Sequence, residues 1–274
     1  MSLISALLLG IVQGLTEFLP ISSTAHVEIA RSLLDYPSKE AGAAFTAVIQ
    51  LGTLAAVLVY FRSDLSKAFR AWVSSIFGRS ITSDDARLGW AVFIGTVPIV
   101  VIGLLFQDAI ETTLRSFEVM ACALIGVGLL MLIADRVAKH SRPLSETRTT
   151  DGVIVGFWQA LALIPGCSRS GSTITGALFA GFDRESAARF SFLLSIPSIL
   201  MAGLYELFKF RKELLTAGAT ETLLATLAAF VVGYWSIDFL LKFLRTKSLL
   251  PFVLYRFALA AFLFVAARNH WITQ

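Results

Sequence analysis

The chain has 274 residues, of which 56% are hydrophobic and 15% charged, and its formal net charge is +4. Soluble domains carry about 25% charged residues, so the composition excludes an ordinary soluble domain and indicates an all-α polytopic membrane protein. The small positive charge lies between apolar segments and gives no indication of nucleic acid as a partner. Cys122 and Cys167 are too few for a disulfide framework.

The first apolar region runs from about residue 3 to 34 and is interrupted at Pro20. The interruption lies in the sequence GLTEFLPISSTAH, Gly14 to His26, which brings a carboxylate, hydroxyls and an imidazole into a hydrophobic stretch. Proline removes a backbone donor, and irregular backbone at membrane depth survives only where protein or water satisfies it. Because each piece is short for a bilayer, we predict a re-entrant helix hairpin, with a kinked transmembrane helix as the alternative.

Six uninterrupted apolar stretches have the length of about 20 residues that a transmembrane helix needs. They lie at about 41–61, 88–107, 117–135, 187–208, 221–243 and 250–268. Between the third and the fourth stretch, a hydrophilic linker at 136–151 leads to a second interrupted region at about 152–181. This region is broken at Pro165-Gly166, within the sequence LIPGCSRSGST. A second re-entrant hairpin is therefore predicted.

The two halves of the chain resemble each other in sequence. The sequence GIVQ, which ends at Gln13, matches GFWQ, which ends at Gln159, and Pro20 matches Pro165. A single membrane domain, 1–274, is predicted, with repeats at about 1–135 and 152–274. Because three spans are an odd number, the second half starts from the opposite side of the membrane. This inverted repeat, in which each half is a re-entrant hairpin plus three spans, places binding sites at the repeat interface.

The orientation follows from Lys and Arg in the predicted loops, of which 14 lie on one side and 7 on the other. Cytoplasmic loops carry the excess of basic residues. The linker side is therefore predicted to face the cytoplasm, and both termini and the opening of the central site are predicted to face outward.

The first hairpin supplies an acid, three hydroxyls and an imidazole. Glu17 is costly at membrane depth, and such residues are usually functional; the alternative is a neutral carboxylic acid in a helix interface. The hydroxyls of Ser22, Ser23 and Thr24 can simply pack or cap a helix. The nearby His26 gives these hydroxyls a catalytic interpretation as well, since an imidazole supplies acid or base near neutral pH. A plain buried imidazole is the alternative for His26.

The second hairpin has the composition of an anion site. Its central residues are Gly166, Ser168, Arg169, Ser170, Gly171, Ser172 and Thr173. Glycines allow close approach of backbone to a ligand, and a helix that begins near Ser170 would direct free N–H groups at a phosphate. Arg169 adds a planar fork of donors. Its alternative role is a structural ion pair with Glu17.

Arg256 is a third charge inside an apolar stretch, and it can either snorkel to the interface or complete a cationic pocket. Together, the two hairpins offer one acid, one imidazole, guanidinium groups, hydroxyls and a helix N-terminus. Positioning and charge neutralisation do most of the work in phosphoryl transfer. The sequence therefore predicts a phosphoryl-transfer site at membrane depth, with a lipid phosphate as substrate.

The motifs GLTEFLPISSTAH and PGCSRSGST resemble the two signatures of bacterial undecaprenyl-diphosphate phosphatases of the bacitracin-resistance type. The segments QLGTLAAV (Gln50–Val57), FSFLLSIP (Phe190–Pro197) and YRF (Tyr255–Phe257) extend this resemblance along the chain. It implies an enzyme of the plasma membrane that hydrolyses the C55 isoprenoid diphosphate to the monophosphate. This reaction recycles the lipid carrier for peptidoglycan synthesis, and overproduction of such enzymes confers bacitracin resistance.

By position, the resemblance implies catalytic roles for Glu17, Ser23, His26 and Arg169. Binding of the substrate is expected at Ser22, Thr24, Ser168, Ser170, Thr173 and Arg256. The family also needs a divalent cation, Mg²⁺ or Ca²⁺, and Glu17 offers the oxygen ligands that suit both. Four positions before Glu17 the family frequently has an acidic residue, but here the residue is Gln13, which can coordinate only through its amide oxygen.

Three alternatives stay open at this point. The attacking group is either Ser23, through a phosphoserine, or water directly. Inverted repeats with broken helices also describe secondary transporters, so a carrier or flippase for an anionic lipid or a small anion is the second functional hypothesis. Finally, Gly10 and Gly14 can serve either a homodimer or internal helix packing.

Overall fold

The computed structural model describes residues 1–34, 39–78, 83–209, 218–269 and 271–272, and only the backbone at 39–44, 108 and 111. Its α-helices are α1 (Leu3–Phe18), α2 (Ser23–Leu33), α3 (Lys39–Tyr60), α4 (Arg62–Ile76), α5 (Asp84–Leu105), α6 (Gln107–Glu111), α7 (Phe117–Val137), α8 (Thr149–Ala160), α9 (Arg169–Phe179), α10 (Arg184–Lys209), α11 (Ala219–Leu244) and α12 (Leu250–Arg268). No β-strand occurs within these ranges. The predicted all-α fold is therefore confirmed.

Five helices of the described chain are long and apolar enough to cross a membrane, namely α5, α7, α10, α11 and α12. A sixth span is possible where α3 and α4 meet at an angle of 82°. The prediction of a multi-pass membrane protein is thus confirmed. Of the basic residues behind the predicted orientation, Arg79, Arg211 and Lys212 lie outside the described residues, as does the side chain of Lys39.

Helix α4 was not anticipated, because its charged residues resemble those of a loop. Leu65, Phe69 and Trp72 nevertheless recur at helical spacing and pack toward α5 and α10. Lys67 and Arg70 are exposed on the other face. This pattern is typical of a helix that lies along a membrane interface.

Both predicted interruptions are present. The first lies between Phe18 and Ser23; the second follows a short 3₁₀ turn and ends where α9 begins at Arg169. The caps Ser22 and Ser168 have φ values of 75° and 68°, which non-glycine residues rarely adopt. Their hydroxyls accept hydrogen bonds from the N–H groups of Ala25 and Gly171. The two helices α2 and α9 therefore begin in the same way.

The helix pairs of the two halves are reciprocal. Helix α1 packs against α11, and its counterpart α8 packs against α5. Helix α3 packs against α10, and α7 packs against α12. If the two repeats are related by a two-fold axis, each contact between helices must recur between their counterparts, and these pairs have that property. The insertion of the two halves from opposite faces of the membrane stays a prediction.

Glycines allow the close contacts of α1 with α11 and of α8 with α5. A methyl group at Gly10 would lie 2.3 Å from the carbonyl oxygen of Ala225 in α11, and one at Gly14 would lie 2.9 Å from that of Ala229. Gly152 in α8 approaches α5 equally closely. The Gly10 and Gly14 stripe is therefore occupied by internal packing, as one of the two alternatives proposed, and it does not supply a face for a homodimer.

We expect Gly10→Ala to lower the free energy of unfolding by about 1–3 kcal/mol, because backbone atoms of α11 must move to admit the methyl group. Gly126→Ala in α7 is the matched control, since no atom lies within 4 Å of a methyl group there. Thermal unfolding in detergent measures both variants. Equal midpoints for Gly10→Ala and the wild type would show that the α1–α11 contact is looser than described.

The linker between α7 and α8 is fixed by charged side chains. The Arg142 guanidinium donates to Asp151 Oδ2 at 2.7 Å and to the carbonyl oxygen of Ala180 at 2.6 Å. The hydrogen bond with Asp151 raises the pKa of Arg142 above its ordinary value, so the pair keeps its charges. These contacts tie the linker to the C-terminal end of α9, which carries the second hairpin.

Candidate active site

The two interrupted regions meet at the carboxylate of Glu17, whose side chain is 3% exposed. Its Oε2 accepts hydrogen bonds from Gln13 Nε2 at 2.7 Å and from Ser23 Oγ at 2.9 Å. Its Oε1 forms an ion pair with Arg169 Nη2. Four residues that the sequence singled out, drawn from both halves of the chain, are therefore in direct contact.

Local structure explains how these groups converge. Gln13 and Glu17 are four residues apart on α1, so they lie on the same face of the helix. The chain turns after Phe18, and the turn brings Ser23, the first residue of α2, back to the carboxylate. Arg169 is the first residue of α9. The N-termini of α2 and α9, each with a partial positive charge, thus lie beside the buried carboxylate of Glu17.

Arg169 retains donors that the protein does not use. Within the described chain, its guanidinium makes one hydrogen bond, to Glu17, and the side chain is 17% exposed. The ion pair that was proposed as the structural alternative is therefore present. It leaves the rest of the guanidinium fork, which suits phosphate oxygens, available to a ligand.

The hydroxyls of the second hairpin join helices as well as lining the site. Ser170 Oγ donates to the carbonyl oxygen of Leu19 at 3.0 Å, which links the two interruptions, and it lies 3.1 Å from Ser168 Oγ. Thr173 is fully buried; its hydroxyl donates to the carbonyl oxygen of Arg169 at 2.7 Å and contacts Ser191 of α10. Thr173 therefore supports the first turn of α9 from behind, through the backbone of Arg169 and not through a contact with Glu17.

His26 has partners that the sequence did not indicate. Its Nδ1 is 2.7 Å from the carbonyl oxygen of Ser22, and its Nε2 is 2.7 Å from Tyr255 Oη. The two rings stack with 5.5 Å between centroids. Ser23 donates to Glu17 instead of to His26. Tyr255 was missed as a site residue, although it belongs to the YRF segment, because no local pattern indicates a contact across 229 residues.

Arg256 is completely buried, so it does not snorkel. Its guanidinium donates to the carbonyl oxygens of Pro20, Ala123, Leu124, Gly166 and Cys167, at 3.1–3.3 Å. Three of these carbonyls lie at the interruptions, where the helical pattern of hydrogen bonds is lost. Arg256 therefore satisfies the backbone of both broken regions, and the predicted contact with a substrate stays a prediction.

A cavity of about 220 Å³ opens beside the Glu17 cluster. Its lining includes Gln13, Ser23, Thr24, Glu28, Gln50 and Arg115. Thr24 is exposed, whereas the neighbouring Ser22 is buried as a helix cap. A larger cavity of about 640 Å³, between α4, α5 and α10, is lined by four carboxylates and by Arg189, and its lining contains no residue of the two interruptions. The smaller cavity is therefore the candidate active site.

The residues present fit a hard divalent cation that takes some of its ligands from the protein and the others from the substrate. Gln13 Oε1 is buried and has no hydrogen-bond partner among the described residues, while the amide nitrogen of the same side chain contacts Glu17. The described chain contains no cluster of three His, Cys, Asp or Glu residues that could hold a metal alone. Mg²⁺ commonly combines one or two protein ligands with substrate phosphates, and Glu17 with Gln13 would supply such a pair.

Comparison with known proteins places the chain in a family. The family model for the bacitracin resistance protein BacA matches residues 6–262. The undecaprenyl-diphosphatase of Pseudarthrobacter chlorophenolicus is 51% identical over 262 residues, which cover 94% of each chain. The undecaprenyl-diphosphatase of Myxococcus xanthus is 48% identical over 270 residues, which cover 97% of this chain and 89% of that protein. With its two interrupted helices meeting at Glu17 and Arg169, the chain belongs to the bacitracin resistance protein BacA family.

Proposed function

We propose that the protein is an integral-membrane undecaprenyl-diphosphatase, which converts undecaprenyl diphosphate into undecaprenyl phosphate and phosphate. This reaction recycles the lipid carrier for peptidoglycan synthesis and supports resistance to bacitracin. The observation that carries the proposal is the contact of Ser23 and Arg169 with the same buried carboxylate, Glu17. Relatives that carry the name undecaprenyl-diphosphatase are about 50% identical along nearly the whole chain, which supports it.

The diphosphate is held by the N-terminus of α9. Arg169 uses the donors that face away from Glu17, and the backbone N–H groups of the first turn add the field of the helix N-terminus. Ser168 lies beside them, and its hydroxyl can turn from Ser170 to a further phosphate oxygen, while Ser170 keeps its hydrogen bond to Leu19. Fixed donors of this kind stabilise the charge of a transferring phosphoryl group. The isoprenoid tail extends along the apolar surface of the helices.

Ser23 is the nucleophile in this proposal. Its hydroxyl already donates to Glu17 Oε2, so the carboxylate can take the proton as the oxygen attacks the terminal phosphorus. The bond from Ser23 Oγ to phosphorus forms while the bond to the departing undecaprenyl phosphate breaks. Water then attacks the phosphoserine, releases phosphate and returns Ser23. Direct attack by water, with Ser23 as a binding residue, is the rival mechanism.

A divalent cation, Mg²⁺ or Ca²⁺, completes the proposed site, with Glu17 and Gln13 as its protein ligands. When bound, it neutralises charge on the phosphate oxygens. Within this chain, the hydrogen bond from Gln13 Nε2 to Glu17 Oε2 keeps the unpartnered Gln13 Oε1 beside the carboxylate. We further propose that the cavity opens to the outer face of the inner membrane, as the distribution of basic residues favours.

The test is release of phosphate from undecaprenyl or farnesyl diphosphate by the purified protein in detergent. We expect release by the wild type, loss of release on chelation of divalent cations and its recovery with Mg²⁺ or Ca²⁺. In Ser23→Ala, the rate should fall by a factor of about 10³, and rapid quenching of the wild type should trap a phosphorylated Ser23.

Two outcomes would change the interpretation. Full activity in Ser23→Ala would eliminate Ser23 as nucleophile and leave direct attack by water. Absence of release from every polyprenyl diphosphate would overturn the proposed enzyme and favour the carrier or flippase, for which transport of the intact lipid between leaflets is the assay.

A further inference from the structure

His26 is held from both sides in a way that defines the tautomer of its neutral ring. The carbonyl oxygen of Ser22 can only accept a hydrogen bond, so the contact of 2.7 Å requires a hydrogen on Nδ1. In a neutral imidazole, Nε2 is then the bare nitrogen, and it accepts a hydrogen bond from Tyr255 Oη at 2.7 Å. The ring therefore has one tautomer, with Nε2 as its basic atom.

Tyr255 is placed for this contact by the residue that follows it. Arg256 anchors α12 to the carbonyl oxygen of Pro20, two residues before Ser22. Tyr255 is 46% exposed, and its ring stacks on that of His26 with an interplanar angle of 7°. The position and the tilt of the imidazole are consequently set by α12, an element of the second half of the chain.

Ser23, the residue that is phosphorylated in the proposed reaction, and His26 are three residues apart on α2. This spacing puts both side chains on the same face of the helix. No direct hydrogen bond joins them, since Ser23 donates to Glu17.

We propose that Tyr255 is a catalytic residue of the active site, which acts through His26. It holds the neutral ring in the tautomer with Nδ1 protonated and connects Nε2, through its own hydroxyl, to the water that attacks the phosphoserine. In that step, the water oxygen bonds to phosphorus, its proton moves to Tyr255 Oη while the Tyr255 proton moves to Nε2, the bond from phosphorus to Ser23 Oγ breaks, and Glu17 returns the serine proton. This inference rests on the proposed function of the site.

The kinetic test is Tyr255→Phe, which keeps the stacked ring and removes only the hydroxyl. We expect kcat to fall about tenfold, the equivalent of one hydrogen bond, with KM unchanged. Tyr234→Phe is the matched control, because Tyr234 is exposed to a similar extent and packs against Tyr60, away from the site. In a His26→Gln background, Tyr255→Phe should have no further effect. An equal fall in both backgrounds would overturn the inference.

A spectroscopic test does not depend on hydrolysis. The chain has three histidines, so protein labelled with ¹⁵N at histidine gives few signals, and His26→Gln identifies those of His26. We expect the Nε2 resonance of the wild type to have the position of a nitrogen that accepts a hydrogen bond, and in Tyr255→Phe to move toward that of a free one. An unchanged resonance would overturn the inference, whereas an inactive wild type would overturn only the proposed function. If His26→Gln is too inactive for kinetics, this measurement decides.

Discussion

Arg169→Ala is expected to lower kcat/KM for hydrolysis of a polyprenyl diphosphate by a factor of about 10³ or more, the range found when a cation that stabilises a transferring phosphoryl group is removed. The variant loses the planar fork for the phosphate. It also leaves the Glu17 carboxylate, which is nearly inaccessible to solvent, without its only cationic partner among the described residues. Phosphate release in detergent, with kcat and KM determined separately, measures the effect.

Two further variants separate the geometry of Arg169 from its charge. Arg169→Lys keeps the positive charge but presents an ammonium group instead of a planar fork, so its activity should lie between those of the wild type and Arg169→Ala. Arg245→Ala removes an exposed arginine that pairs with Glu185 in the first turn of α10, and neither residue lines the candidate cavity. Its activity should match the wild type. An Arg169→Ala rate within tenfold of the wild type would contradict the assigned role.

Arg256→Met should have the largest effect on stability. Three backbone carbonyls at the interruptions lose their donor in a buried environment, and each unsatisfied group costs about 1–3 kcal/mol. Two further carbonyls, inside α7, lose a second donor. Partial relaxation will recover some of this, so we expect the free energy of unfolding to fall by at least about 3 kcal/mol. Unfolding in mixed micelles, followed by circular dichroism, is the measurement.

Arg256→Lys distinguishes the structural role from the predicted contact with the substrate. A lysine amine has three donors on a flexible stem and cannot reach carbonyls of both interruptions at once, so stability should still fall clearly. If Arg256→Lys is as stable as the wild type but has a raised KM, Arg256 is a substrate-binding residue, and the structural role assigned here is wrong.

Much of the fold could be predicted because membranes make strong demands on a sequence. Apolar stretches of sufficient length predicted the five spans of the described chain, and Pro20 and Pro165 located both interruptions. The contact of Glu17 with Arg169 could also be predicted, since a carboxylate and a guanidinium inside a membrane need partners. Helix α4 was missed because a charged amphipathic segment and a polar loop have similar compositions.

The detailed roles of the site residues depend on the rotation of each helix about its axis, which composition does not define. The contact of His26 with Tyr255 spans 229 residues, and that of Arg256 with Pro20 spans 236. Because His26 is close to Ser23 in the sequence, it was the expected acceptor of the serine proton. The break before α2 instead directs the serine hydroxyl to Glu17. Arg256 was recognised as unusual, yet only its carbonyl partners indicate what it holds together.

The matching caps of α2 and α9 determine which group each half of the chain contributes to the Glu17 cluster. Ser22 and Ser168 are equivalent in conformation, and the residue after each one touches Glu17, but that residue is a serine in one half and an arginine in the other. The same cap geometry therefore presents a hydroxyl to Glu17 from one half of the chain and a guanidinium from the other. Neither half holds the carboxylate together with both partners, so the cluster forms only where the two halves meet.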